Sequence, residues 1–289
     1  MRGLVLSGGG SRGQFHVGVV DCLLGSLETR YDAYAGVSVG ALIASFLAQY
    51  KIGEERVAVR ELLALFTPIR DEDIWKSWFL FGKASVWKSS ALNTRPLQKL
   101  VKQNLDEKRV QASGKKLRVG AVSLDTNEYR IFDENYSPLV EAVLASASYP
   151  AFMEPIQTDG QLWTDGGVKV VTPIKTLIDL GCDEIDVSIC HPPKSTTKFE
   201  RDPEWPDVAI RAIDAMSDRL TWVDVRYAQL YNRLLEHENV EGKRPIKIRV
   251  FHPSKQLNKD PLHFERMEAL DLQNKGREAV HAASVGAEN

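Results

Sequence analysis

Short apolar runs that end at glycine alternate along this chain with stretches whose apolar residues recur every three or four positions. Leu4, Val5 and Leu6 form a run of the kind expected of a buried strand, and Gly8-Gly9-Gly10-Ser11-Arg12-Gly13 follows at once. Phe15, Val19, Leu23 and Leu27 then stand four apart beside Val20 and Leu24, which predicts a helix that weakens at Gly25. A second strand is expected over Ala33 to Val37. It runs into Gly36-Val37-Ser38-Val39-Gly40 and a helix that opens with Ala41, Leu42, Ile43 and Ala44. Strand, tight turn and helix thus occur twice in succession, the pattern of an α/β sheet whose strands are buried on both faces.

Residues 54 to 110 read mostly as helices, with an aromatic insert of Trp75, Trp78, Phe79, Phe81 and Trp87. Strands are expected at Leu117 to Ser123 and Tyr129 to Phe132, and a helix at Pro138 to Ser146. Asp159-Gly160 is a hairpin signal, and Gln161 to Thr164 lead from it into Asp165-Gly166-Gly167. A helix at Ile174 to Leu180 and a strand at Ile185 to Ile189 follow, then a proline-rich loop over 192–207. From Pro206 a long helix is predicted, striped by Ala209, Ile213, Met216, Leu220, Val223, Tyr227, Leu230 and Leu234. That stripe is expected to pack on the core, the alternative being a dimerising seam. A strand at Ile246 to Phe251 is expected to rejoin the first sheet, and a helix at Phe264 to Ala283 to close the chain. With no internal repeat, residues 1–289 are expected to form one domain, with 206–283 packed on the part that carries the motifs.

Composition excludes more than it identifies. Lysine and arginine number 37 against 39 acidic residues, a net charge of −2, which argues against a nucleic-acid binder. Cys22, Cys182 and Cys190 are too few and too scattered for a disulfide framework, which favours a reducing, cytoplasmic setting. No secretory signal and no stretch approaching the roughly 20 apolar residues of a membrane span are evident. Between Lys99 and Arg118 seven basic residues face two acidic ones, an excess of five. That excess fits either an anionic membrane or a solvated helix face. The aromatic insert fits a lid or bilayer-facing patch, although burial in the core is favoured.

Two motifs carry chemistry. Gly8-x-Gly10-x-x-Gly13, between a strand and a helix, has the spacing of a dinucleotide-binding turn and presents amides at a helix N-terminus. The acidic residue that would hold a ribose belongs at the end of the next strand, but Asp32 precedes that strand and Ser38 stands at its far end. Gly36-x-Ser38-x-Gly40 places a serine on a strained strand-to-helix turn, as a nucleophile elbow does. Ser38 then supplies a nucleophile, and amides around Gly9 and Gly10 supply donors for an oxyanion. None of the six histidines sits in a motif, and His16, one turn into the first helix, is more readily a bystander than a base. Asp165 ends a strand before two glycines that permit a sharp turn.

Together these segments resemble the patatin-like phospholipase family. Gly8 to Gly13 match its oxyanion loop, Gly36 to Gly40 its nucleophile elbow, and Asp165-Gly166-Gly167 its aspartate motif. Ala145 to Pro155 and Leu92 to Leu97 resemble two further family segments, and the likeness covers roughly residues 3–190. The resemblance implies a three-layer α/β/α sandwich with a mostly parallel central sheet. It also implies hydrolysis of lipid carboxylic esters by a Ser38–Asp165 dyad. Ser38 would attack the acyl carbonyl, Asp165 would take and return the proton, and the loop of Gly8, Gly9, Gly10, Ser11, Arg12 and Gly13 would hold the oxyanion. Gly36 and Gly40 would shape the elbow, and Gly166 and Gly167 the aspartate loop. Arg12 would brace the glycine loop or meet a lipid phosphate. No cofactor or metal is implied, and the expected partner is lipid, with peripheral membrane contact left open. One departure stands out: where many members carry asparagines after Asp-Gly-Gly, this chain has Val168-Lys169-Val170-Val171-Thr172-Pro173. Two other readings remain. One is an α/β-hydrolase with a Ser–Asp–His triad drawing on His191 or His252. The other is a non-catalytic binder of nucleotide or protein.

Overall fold

Successive residues of a strand face opposite sides of their sheet, and the first strand, β1 (Arg2–Leu6), divides the core in this way. Leu4 and Leu6 enter one apolar cluster, and Val5 enters another on the opposite face. A computed structural model describes residues 1–77, 89–194, 199, 202–237, 244–258 and 260–285. After β1 the glycine loop leads into α1 (Gln14–Val20), which widens into a π turn through Ser26. β2 (Ala33–Gly36) and α2 (Val39–Leu47) follow. Next come α3 (Glu55–Phe66), α4 (Asp71–Ile74) and the short strands β3 (Lys76–Ser77) and β4 (Leu92–Asn93). α5 (Arg95–Asn104) and α6 (Glu107–Ala112) lead to β5 (Lys116–Ser123), β6 (Tyr129–Asp133) and α7 (Leu139–Ser146). The hairpin strands β7 (Ile156–Thr158) and β8 (Gln161–Asp165) turn at Asp159 and Gly160. Both turn residues have positive φ, as a type I′ turn requires. α8 (Ile174–Asp179), β9 (Glu184–Ser188), α9 (Trp205–His237), β10 (Lys247–Phe251) and α10 (Arg266–Val285) complete the order.

The central sheet is mixed and lies between two helical layers. Its parallel part runs β10-β9-β1-β2-β5. β6 and β8 lie antiparallel to β5, and β7 antiparallel to β8. β6 covers Arg118 to Val122 along one side of β5. The other side is shared: β2 takes Lys116 to Val119, and β8 takes Ala121 to Ser123. The C-terminal ends of β2 and β8 therefore converge at Gly120. Ser38, two residues past β2, and Asp165, the last residue of β8, are brought together although 126 residues separate them in the chain.

The long helix departs from its predicted packing. Ala209 and Ile213 pack against the main core as expected, but Met216, Tyr227, Leu230 and Leu234 are 49–72% exposed. The buried face is instead Asp214, Thr221, Val225 and Ala228. Asp214 on this buried face pairs with the buried Arg12. Of the aromatic insert, Trp75 packs against the core and its indole N–H donates to the Leu262 carbonyl at 2.9 Å. Trp78, Phe79, Phe81 and Trp87 lie outside the described residues. The basic stretch is partly consumed inside the fold. Lys115 is buried and donates to the Tyr34 hydroxyl at 3.3 Å, and Lys116 and Arg118 both pair with Glu134. Among the described residues no helix is long and apolar enough to cross a membrane.

Candidate active site

Three chain reversals build the site, two at the C-terminal ends of the parallel strands β1 and β2, where ligand crevices of open α/β sheets lie, and one at the end of β8, which runs antiparallel to β5. The elbow after β2 holds Ser38 at φ 58° and ψ −130°, a left-handed backbone that β-carbon residues adopt only under constraint. The constraint is visible. The Ser38 amide donates to Ser146 Oγ at 3.0 Å, and that hydroxyl donates to the Gly120 carbonyl at 2.6 Å. Ser146, from the end of α7, thereby ties the elbow to the point where β2 and β8 converge. A β-carbon at Gly40 would stand 2.1 Å from the Leu6 carbonyl of β1. Gly40→Ala is accordingly expected to force the elbow off β1 and to destabilise the fold by about 3 kcal/mol in urea titration.

The Asp165 carboxyl is 3% exposed and Ser38 is 8% exposed. Burial pushes the Asp165 pKa up to about 7, while the neighbouring Ser38 hydroxyl and the Gly167 amide pull against that rise. The Gly167 N–H donates to Asp165 Oδ1 at 2.7 Å, so the glycine after the motif aims the carboxylate. A carboxylate with this pKa is a far better match to proton transfer near neutrality than an ordinary aspartate.

The glycine loop after β1 is pinned from three sides. Gly8 donates to the Val171 carbonyl at 3.1 Å, Ser11 to the Pro261 carbonyl at 2.7 Å, and Arg12 to the Gly9 carbonyl at 3.2 Å. Those three amides are spent on structure. The amides of Gly9 and Gly10 have no acceptor among the described residues, and both glycines line a cavity with Ser38 and Asp165. Gly10 has a φ of +59°, and a β-carbon there would stand 2.2 Å from the Pro261 carbonyl.

Arg12 is buried. Its fork takes both oxygens of Asp214 from α9, with Nη2 to Oδ2 at 3.0 Å, while Nε donates to Asn258 Oδ1 at 2.9 Å. That geometry makes it a brace and leaves no face for a lipid phosphate. Asn258 also donates to Ser11 Oγ at 2.8 Å. Behind the loop His16 is buried, with Nδ1 2.7 Å from Ser188 Oγ and Nε2 3.0 Å from the Ser7 carbonyl. Burial lowers its pKa to about 4, so it is a neutral strut. His191 stands between Arg12 Nη1, at 3.2 Å, and Asp218 Oδ1, at 3.2 Å. His252 stacks edge-on against Trp222. Neither histidine forms a described hydrogen bond with Ser38 or Asp165. The segment that lacks asparagines is held another way: the Val171 carbonyl accepts from Gly8, and the Thr172 amide donates to Asp224 of α9 at 2.9 Å.

Asp214, Asp224 and Asn258 have no local signature in the sequence. The aspartates are ordinary polar positions of a long helix, and no motif surrounds Asn258. Ser146 lies inside the segment resembling the family, but its link to the elbow is visible only in three dimensions.

The fold and site define an α/β protein with a serine elbow facing a buried carboxyl. A family model described as "Patatin-like phospholipase" matches residues 4–178. The chain belongs to the patatin-like phospholipase family. It is 29% identical over 204 residues to uncharacterized protein R571 of Acanthamoeba polyphaga mimivirus, covering 65% of this chain and 64% of that protein. It is also 29% identical over 206 residues to a patatin-like phospholipase domain-containing protein of Pyricularia oryzae, covering 60% of this chain but 24% of that one. The matches thus span less than two thirds of these relatives' own length. A crystal structure of VipD from Legionella pneumophila aligns over 98% of this chain and 66% of its own, with 12% identity and a TM-score of 0.46.

Proposed function

We propose that this protein hydrolyses carboxylic esters of lipids with a Ser38–Asp165 dyad, and that residues 206–283 belong to the same catalytic unit. The observation that carries this reading is the end-to-end meeting of β2 and β8 on β5, which sets a strained serine against a buried aspartate. In the first step Ser38 Oγ bonds to the acyl carbon and its proton passes to Asp165. The carbonyl oxygen takes the negative charge and is held by the amides of Gly9 and Gly10. Loss of one such donor typically costs about 2.7–4 kcal/mol of transition-state stabilisation. The tetrahedral intermediate then breaks its bond to the alcohol oxygen, and Asp165 returns the proton to that oxygen. A water attacks the acyl-serine by the same route, releasing the carboxylic acid and restoring Ser38.

A fluorophosphonate probe tests the reading directly. The wild type is expected to be labelled at Ser38, and Ser38→Ala to lose both labelling and lipid-ester hydrolysis while keeping its circular dichroism. Turnover by Ser38→Ala close to that of the wild type would overturn it. A loss in His191→Ala as deep as in Ser38→Ala would favour the triad instead.

A further inference from the structure

Ser38 stands where two cavities meet, both lined largely by apolar side chains. Gly10, Ser38, Tyr149 and Pro261 line both. The cavity towards α9 adds a few polar side chains, His191, Asp214 and Ser217 beside Asp165, to a wall that includes Val171, Ile213 and Leu220. The other is walled almost wholly by aliphatic and aromatic side chains. The polar groups at its edge are satisfied within the protein: Gln14 Nε2 donates to the Phe66 carbonyl at 2.6 Å, and Asn104 Nδ2 to the Leu100 carbonyl at 2.8 Å. A wall without free hydrogen-bonding groups selects a hydrocarbon.

The apolar cavity has a direction and a floor. Ser38, Leu42 and Phe46 stand at i, i+4 and i+8 along α2 and all line it, so it descends beside that helix for about 12 Å at 1.5 Å per residue. Leu97, Val101 and Leu105 repeat the same spacing along and just past α5 and form another part of the wall. Beyond Phe46 the two helices are tied together. Gln49 Nε2 donates to the Asn104 carbonyl at 3.0 Å, and its Oε1 accepts from the Asp106 amide at 2.8 Å. The cavity therefore runs from Ser38 towards a far end that this tie bounds.

From this geometry we infer that the cavity along α2 holds one straight acyl chain of the ester. Leu42 and Phe46 act as a ruler for its length, and the alcohol part of the lipid leaves through the cavity beside α9, where His191, Asp214 and Ser217 stand. The inference rests on the Ser38 reading, because only a nucleophile at the junction distinguishes the acyl side from the alcohol side. A buried methylene is worth about 0.8 kcal/mol, or roughly fourfold in kcat/KM.

The test is a series of p-nitrophenyl esters of increasing chain length with purified wild-type protein. The expected profile rises about fourfold per methylene and then falls once the chain reaches the floor. Leu42→Trp, one turn below Ser38, is expected to lower the ratio of long-chain to short-chain kcat/KM by more than about tenfold. Phe46→Ala is expected to move the optimum to longer chains. If Leu42→Trp does not fold, Val101→Phe narrows the same cavity from α5 and is expected to act alike. An unchanged optimum in these variants overturns the inference, as does a shortened optimum in Met216→Trp on the α9 side. Calorimetric binding of free fatty acids to Ser38→Ala separates the two readings, because it needs no turnover. Length-dependent binding that shifts with Leu42→Trp, without Ser38-dependent hydrolysis in the wild type, supports the cavity and sinks the dyad. Ser38-dependent hydrolysis with no length dependence sinks the cavity assignment alone.

Discussion

Asp165→Asn is expected to lower kcat for ester hydrolysis by about 10²–10⁴-fold and, in the same protein, to raise stability at pH 8. Both effects come from one pKa. The Asp165 carboxyl is raised from 3.8 to about 7 by burial, so at pH 8 the folded protein carries a desolvated charge. In the unfolded chain the same group ionises near its ordinary value. Between about pH 4 and pH 7 the folded state therefore binds the extra proton, and stability falls as pH rises through that window. A span of about three pKa units at 1.36 kcal/mol each sets an upper bound of about 4 kcal/mol. Asparagine keeps an oxygen for the Gly167 amide and removes the charge. Urea titrations at pH 5 and pH 8 should show the wild type losing stability and Asp165→Asn losing little. The kinetic sign is the opposite: the base must be ionised, so wild-type kcat/KM should fall about tenfold per unit below pH 7. A flat profile between pH 5 and pH 8 would remove Asp165 as the base.

The second large effect is expected at Asp214. Arg12 and Asp214 are both buried, and their bidentate pair joins the glycine loop to a helix some 200 residues further along the chain. Removing one partner of such a pair leaves an uncompensated buried charge, which costs about 3–5 kcal/mol. Asp214→Ala should therefore shift the urea midpoint far to lower concentration. The double change of Arg12→Met with Asp214→Leu should recover most of that loss, since apolar residues of similar size replace buried ion pairs at little cost. Hydrolysis should stay impaired in the double variant, because Arg12 also holds Asn258 through Nε at 2.9 Å. A loss of under about 1 kcal/mol in Asp214→Ala would mean that the clamp does not hold the loop.

Much of this architecture is legible before any coordinate. Leu4 to Leu6 and Ala33 to Val37 are apolar runs too short for helices and end at glycine clusters, so their pairing as buried parallel strands follows from length and punctuation. Asp159-Gly160 announces its hairpin, because both positions need positive φ. Gly36 and Gly40 mark the elbow, and a β-carbon at Gly36 would stand 2.3 Å from the Gly40 carbonyl.

The long helix shows where periodicity stops being informative. Its stripe from Ala209 to Leu234 is regular, yet the later half faces solvent. Periodicity reports that a helix has an apolar face, and it cannot report that Asp214, one polar residue on another face, has a buried arginine waiting for it.

What local order along the chain decides here is the set of strained and punctuated backbone positions: the serine on its elbow, the glycines of the loop and the aspartate at a strand end. Their causes lie within a few residues, in φ, in β-carbon clashes and in the alternation of apolar positions. The tertiary structure alone decides which of them meet and in what electrostatic state. Ser38 finds Asp165 because β2 and β8 share one edge of β5. The Asp165 pKa is raised towards neutrality because that meeting point is dry, and Arg12 is held in place because α9 delivers Asp214 to it. Register and desolvation are properties of segments brought together from distant parts of the chain, and no local pattern encodes them.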